Sequence, residues 1–187
     1  MSKYLIIDFS KVSPDNNDWY APGYGEVIHR EIISGFYARI AKETDRGLVI
    51  VTASLLDDLA EHKLRDLFSH GNDKACGRLF DALGPFSSSA SRIDALFCLG
   101  AINAESHSNL HVIRKLRNHC AHHWDDFRLD EAVENSFLSK LAIPDFFKNP
   151  NGIPSHLPLH PKSKFTAAAF MLVIFLNIGQ VKPLASS

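Results

Sequence analysis

Leu110–Trp124 reads LHVIRKLRNHCAHHW, and its periodicity decides the fold. Wound at about 100° per residue, it places Ile113, Leu116, Cys120 and Trp124 in one arc, with Arg117 at the edge. His111, Arg114, Asn118 and His122 collect on the opposite side. This is an amphipathic helix whose polar face carries cations and histidines and no acid. Five of the chain's 10 histidines fall between His107 and His123. Such a face attracts phosphate or another anion.

The flanking sequence repeats the helical signal. Upstream, Leu48, Val51, Leu55 and Leu59 mark a helix over about 45–68, interrupted by Asp57, Asp58, Glu61 and His62. Residues 74–83 predict a short helix stopped by Gly84-Pro85. SSSASRIDALFCLGAI restarts a helix, with Ser89 or Ser91 as N-cap and Ser91/Asp94 at capping-box-like spacing. Val27, Ile28, Ile32, Phe36 and Ile40 predict a helix over 26–43. Downstream, 130–141 is a shorter helix, and 144–162 holds five of the nine prolines, an extended loop. Phe165–Ile178 is a 14-residue apolar run that contains Thr166 and Asn177, too short to span a membrane and read as a buried helix. The expectation is an all-α, up-and-down bundle of about seven helices. Residues 1–24 form an irregular N-terminal segment, and 25–187 form a single domain.

Composition narrows the function classes. The 187 residues carry 20 Lys+Arg against 21 Asp+Glu, a formal net charge of -1. That balance excludes a disordered charged tail and argues against a duplex-coating DNA binder, so no sequence-specific DNA binding is expected. Cys76, Cys98 and Cys120 lack framework spacing, and MSKYLIIDFSK lacks a secretory leader, which points to the cytoplasm and away from the membrane.

Metal is the competing use of the histidines. His119 and His123 have i, i+4 spacing with Asp125 and Asp126 behind them, half of a zinc site. His156 and His160 are the only other candidates, in the proline-rich loop. No second ligand cluster completes a set, so no metal and no cofactor are expected. The acids of ASLLDDLAEHKL read first as a solvated face; the sharper reading has Asp58 orienting Arg117 or His122 as a supporting residue. Arg117 and His122 lie about 140° apart on a straight helix, so one helix cannot easily aim both at one atom. A two-fold copy of the face would supply the missing group.

Arg117-Asn118-His119-Cys120-Ala121-His122 resembles the Arg, polar residue, then His pattern of the HEPN superfamily. Four ordered segments resemble the mannitol operon repressor family more narrowly: LVIVTASLLDDLAEHKLRDLF (48–68), LFDALGPFSSSASRIDALFCLGAI (79–102), LHVIRKLRNHCAHHW (110–124) and FRLDEA (127–132). The resemblance covers roughly residues 30–135. The family carries an aromatic where Cys120 stands, and commonly a lysine near Arg92. The resemblance implies a helical bundle, a homodimer through the motif helix, and one of two functions.

The first function is an RNA-binding protein or metal-independent endoribonuclease. His122 would act as base or acid, Arg117 would hold the phosphate, and Asn118 would position His122 or the ribose. His111, Arg114 and Lys115 would bind RNA phosphates. The second is a transcriptional repressor that works through a protein partner, an antitoxin or regulator, and carries no DNA-reading motif.

Overall fold

The computed structural model describes residues 40, 42–68, 73–122, 126–143 and 159–177. The expected N-terminal segment 1–24, nearly all of the expected 26–43 helix and most of the proline-rich loop lie outside the described residues. Six α-helices and no β-strand occur among the described residues. They are α1 (Asp45–Leu67), α2 (Asp73–Phe80), α3 (Ser89–Cys98), α4 (Ala104–His122), α5 (Glu131–Ser136) and α6 (Pro161–Asn177). A 3-10 turn, Leu138–Lys140, follows α5. The all-α expectation therefore holds.

α1 begins where Thr44 caps it, its hydroxyl accepting from the Gly47 amide at 3.1 Å. Its buried residues Leu48, Thr52, Leu56, Ala60 and Leu64 recur every fourth position. That stripe faces the core, and α1 packs against α3, α4 and α6. α4 buries Asn109, Leu110, Val112, Ile113, Leu116 and Cys120, the face expected from the pattern. Burying each large aliphatic side chain contributes about 1.5–3 kcal/mol before entropy is counted.

α6 is the apolar run. It starts at Pro161, four residues before the apolar run, because proline suits a first helical position that needs no amide donor. His160 assists, its Nδ1 accepting from the Lys162 amide at 3.2 Å. Twelve α6 residues are buried, including the successive alanines Ala167, Ala168 and Ala169, whose small size lets α1 and α4 approach closely. No helix is long and apolar enough to cross a membrane among the described residues.

Polar groups tie the helix ends together. Arg46 donates to the Cys120 carbonyl at 2.9 Å, satisfying a last-turn acceptor of α4. Lys63 reaches the Phe175 and Leu176 carbonyls at 3.4 and 3.3 Å, doing the same for α6. Burial lowers the Lys63 pKa from its ordinary value. Asp45 accepts from the Leu129 amide at 3.0 Å and from Lys162 at 2.9 Å, joining three segments. Buried Asn109 exchanges two bonds with the Ala142 backbone, at 2.8 and 2.9 Å, and so pins the chain after α5 to α4.

Two boundaries differ from the sequence reading. The N-cap of α3 is Ser88, whose Oγ accepts from the Ser91 amide at 3.1 Å, one residue before the expected Ser89. α3 also stops at Cys98 rather than running on through Ala101. Gly100 has φ +68°, its amide bonds the Phe97 carbonyl and the Ala101 amide bonds that of Leu96. These two bonds form a Schellman motif, which turns the chain back and sets α3 beside α4.

Candidate functional site

α1, α3 and α4 enclose a cleft of about 210 Å³. Its apolar floor includes Leu56, Ala60, Ile93, Leu110 and Ile113, while Ser54, Asp57, Ser89, Arg114, Arg117 and Asn118 supply its polar groups. α4 contributes the cations because Arg114 follows Leu110 by one turn and Arg117 follows Arg114 by another.

The charges within the cleft are not mutually neutralised. Asp57 is occupied by Arg92, a buried residue of α3. Arg92 Nη2 donates to Asp57 Oδ2 at 2.6 Å, Nε to Oδ1 at 3.2 Å, and Nη1 to the Phe86 carbonyl at 2.9 Å. Glu61 adds a second carboxylate 3.4 Å from Arg92. Arg114, half-buried, has a buried Nε with no hydrogen-bond partner among the described residues. Arg117 is exposed, and Nη1 donates to Asn118 Oδ1 at 3.3 Å. Two guanidinium groups without carboxylate partners among the described residues therefore share one cleft, suited to a carboxylate or phosphate.

The structure brings together Arg114, Arg117 and Asn118, but not the remaining candidates. His122 is the last residue of α4, exposed and outside the cleft lining. Lys115 is exposed and also outside it. Asp58 requires a correction: it is exposed, its carboxylate bonds neither Arg117 nor His122, and its carbonyl accepts from His62 at 2.7 Å. One residue is about 100° of helix rotation, which turns Asp57 toward α3 and Asp58 to solvent.

His111 belongs to a different cluster. With His107, one turn earlier on α4, it meets Asp94 of α3. Both Nε2 atoms lie 2.8 Å from Asp94 Oδ1, and 3.2 Å from one another. Hydrogen bonds from His107, then His111, hold the Asp94 carboxyl below its ordinary pKa. The capping-box role expected for Asp94 gives way to these contacts.

The other histidines do not form a metal cluster among the described residues. His119 packs its ring at 5.1 Å from Phe137 and 6.4 Å from Phe127. His123, Asp125 and His156 lie outside the described residues. Arg92 was not singled out from the sequence as a site residue. Its signal was the i, i+4 pair Asp57 and Glu61, an acidic face that needed a cation opposite.

The fold and the cleft together define a class: an all-α bundle with a cationic cleft between its first, third and fourth described helices. In fold, the chain is similar to a chain in the X-ray structure of the MtlR-HPr complex from Escherichia coli. The TM-score is 0.52 at 18% identity, covering 79% of this chain and 94% of that one. No family model matches the chain. No curated protein matches it.

Proposed function

We propose that the chain is a regulator of the mannitol operon repressor type, acting in the cytoplasm by binding a protein partner rather than by reading DNA. The observation that carries this reading is the likeness to a fold solved in complex with a protein, HPr. The ordered resemblance of residues 48–132 to that family supports it. In this reading the cleft takes acidic side chains of the partner. Arg114 and Arg117 offer guanidinium groups that no carboxylate of the described residues occupies. Buried Arg92 holds α3 against α1 and shapes the cleft wall.

The test is calorimetric titration of the purified chain with HPr from the same organism. Saturable binding, weakened at least about tenfold in an Arg114→Glu/Arg117→Glu variant, is the expected result. A folded wild-type chain that shows no binding overturns the choice of HPr. Binding unchanged in the double variant overturns the assignment of the cleft.

A ribonuclease reading of the HEPN type draws on the placement of Arg117 and Asn118 in one cleft. It requires His122 from a second copy, because His122 of the same chain is outside the cleft lining. That arrangement is a homodimer through α4. Labelled RNA incubated with the protein in EDTA separates the readings. Cleavage lost in both His122→Ala and Arg117→Ala would replace the regulator with an enzyme.

A further inference from the structure

We infer that Asp94, His107 and His111 form a binding site for a divalent transition-metal ion that clamps α3 to α4. Each offers one ligand atom, and the three atoms lie within 4.8 Å of one another. The site lies apart from the cleft and does not depend on the partner-binding reading.

Its geometry comes from two helices and one turn. His107 and His111 are four residues apart on α4, so their rings share a face. Asp94 is brought to that face because the Schellman turn at Gly100 folds α3 back along α4. The edges of the ligand triangle are 2.8, 2.8 and 3.2 Å. Metal–ligand bonds of about 2.1 Å imply edges of about 3.0 Å for adjacent octahedral positions and about 3.4 Å for tetrahedral ones. The two 2.8 Å edges need to open by about 0.2 Å for octahedral and about 0.6 Å for tetrahedral geometry, and the 3.2 Å edge lies between the two values.

In the metal-free arrangement both imidazoles converge on one carboxylate oxygen. Asp94 Oδ1 can accept from both imidazoles only if each presents an Nε2–H. Two N–H groups are then directed at one oxygen, with their nitrogens 3.2 Å apart. When each imidazole carries its proton on Nδ1 instead, both Nε2 lone pairs are free, and a dication at the convergence point takes them and faces the carboxylate. Phe97 orients the pair, its ring stacked on His107 at 4.5 Å with an interplanar angle of 27°.

Ligand type selects the ion. Two imidazoles and one carboxylate suit Zn²⁺, Co²⁺ or Ni²⁺ better than Mg²⁺ or Ca²⁺, which prefer oxygen donors. The side chains of His107, His111 and Asp94 are 27%, 20% and 58% exposed, so the ion has an open side for water or another ligand. Arg114 follows His111 by three residues, so the clamp would also stiffen one wall of the cleft.

The experiment uses the full chain without a polyhistidine tag, stripped with EDTA. Zn²⁺ is titrated calorimetrically, and Co²⁺ is added separately to record its visible absorption. The expected result is one ion per chain, a chelator-reversible rise in Tm, and Co²⁺ bands characteristic of mixed nitrogen and oxygen ligands. His107→Ala and His111→Ala should each weaken binding by at least about tenfold, whereas His62→Ala should not. Circular dichroism of each variant checks that it is folded. Absence of stoichiometric binding to the folded wild type overturns the site, as does binding that survives both His107→Ala and His111→Ala.

Discussion

Arg92 closes a two-bond fork on Asp57, at 2.6 and 3.2 Å, and thereby joins α3 to the middle of α1. Arg92 is buried, and its third contact is the Phe86 carbonyl in the loop before α3. Removing it would leave Asp57 without its cation, while Glu61 would keep Arg65, 2.8 Å away. Arg92→Ala is expected to cost about 2–4 kcal/mol in urea unfolding. Arg92→Lys should recover only part, because an ammonium keeps the charge and loses the fork. An Arg92→Ala variant as stable as the wild type would show that the pair contributes no net stability.

Thr52 sits in the buried stripe of α1 with no exposed surface, and its hydroxyl has no hydrogen-bond partner among the described residues. Burying an unpaired hydroxyl costs free energy that a methyl group would not. Thr52→Val preserves the shape and removes the polar atom. It is expected to raise stability by about 1 kcal/mol. A loss of stability in the same unfolding assay would mean that the hydroxyl has a partner in solution.

Arg114 separates binding from stability. It makes no ion pair among the described residues, so Arg114→Ala should change folding free energy by less than about 1 kcal/mol. The same variant should weaken association with an acidic partner, with the effect reduced at high salt. Parallel unfolding and titration measurements check both halves. A variant that unfolds readily but binds normally would assign Arg114 to the fold instead.

α4 was legible from the helical spacing of its apolar side chains in 110–120, and α6 from the continuous apolar run 165–178. α1 was legible as a helix, but its buried face was not: the spacing of Leu48, Val51, Leu55 and Leu59 turns Val51 inward, whereas Val51 is exposed and the buried stripe runs through Thr52, Leu56, Ala60 and Leu64. The cleft was legible in part: Arg114 and Asn118 share the polar face of α4, with Arg117 at the edge of its apolar arc. What escaped depended on a second element. Asp57 and Asp58 are indistinguishable in sequence, and only the presence of Arg92 opposite decides which is used. His107 and His111 fell within the histidine-rich stretch without being paired, and Asp94 joins them only after Gly100 reverses the chain. Cys120, by contrast, lay on the predicted core face and is fully buried.

The cysteines should differ sharply in reactivity. Cys98 is exposed, and Cys120 is buried. Burial raises the Cys120 pKa above its ordinary value, which favours the unreactive thiol. In the native state, Cys98 should react with a maleimide first and Cys120 only after unfolding. The linkage has a definite sign. A thiol whose folded pKa is raised contributes stability that is full below its unfolded pKa and is lost as pH rises toward the folded value. Stability should therefore fall above the ordinary thiol range, less so in Cys120→Ala. Rapid native labelling of Cys120, located by peptide mass, would contradict its burial.

Gly100 supplies the turn on which both the cleft wall and the Asp94–His107–His111 triangle depend. Its φ of +68° is unfavourable for most residues with a Cβ, yet an added Cβ there would meet no atom within 4 Å. The cost of substitution therefore lies in the backbone alone. Gly100→Ala is expected to destabilise by about 1–2 kcal/mol. Gly100→Asn should cost less, because asparagine enters the left-handed region more readily. Thermal unfolding should resolve the two variants, since each 1 kcal/mol moves Tm by about 2–4 °C in a domain of this size. An alanine variant as stable as the wild type would show that the α3–α4 turn does not need the left-handed residue. A loss equal in both variants would instead place the cost in the side chain, against the open space around Gly100.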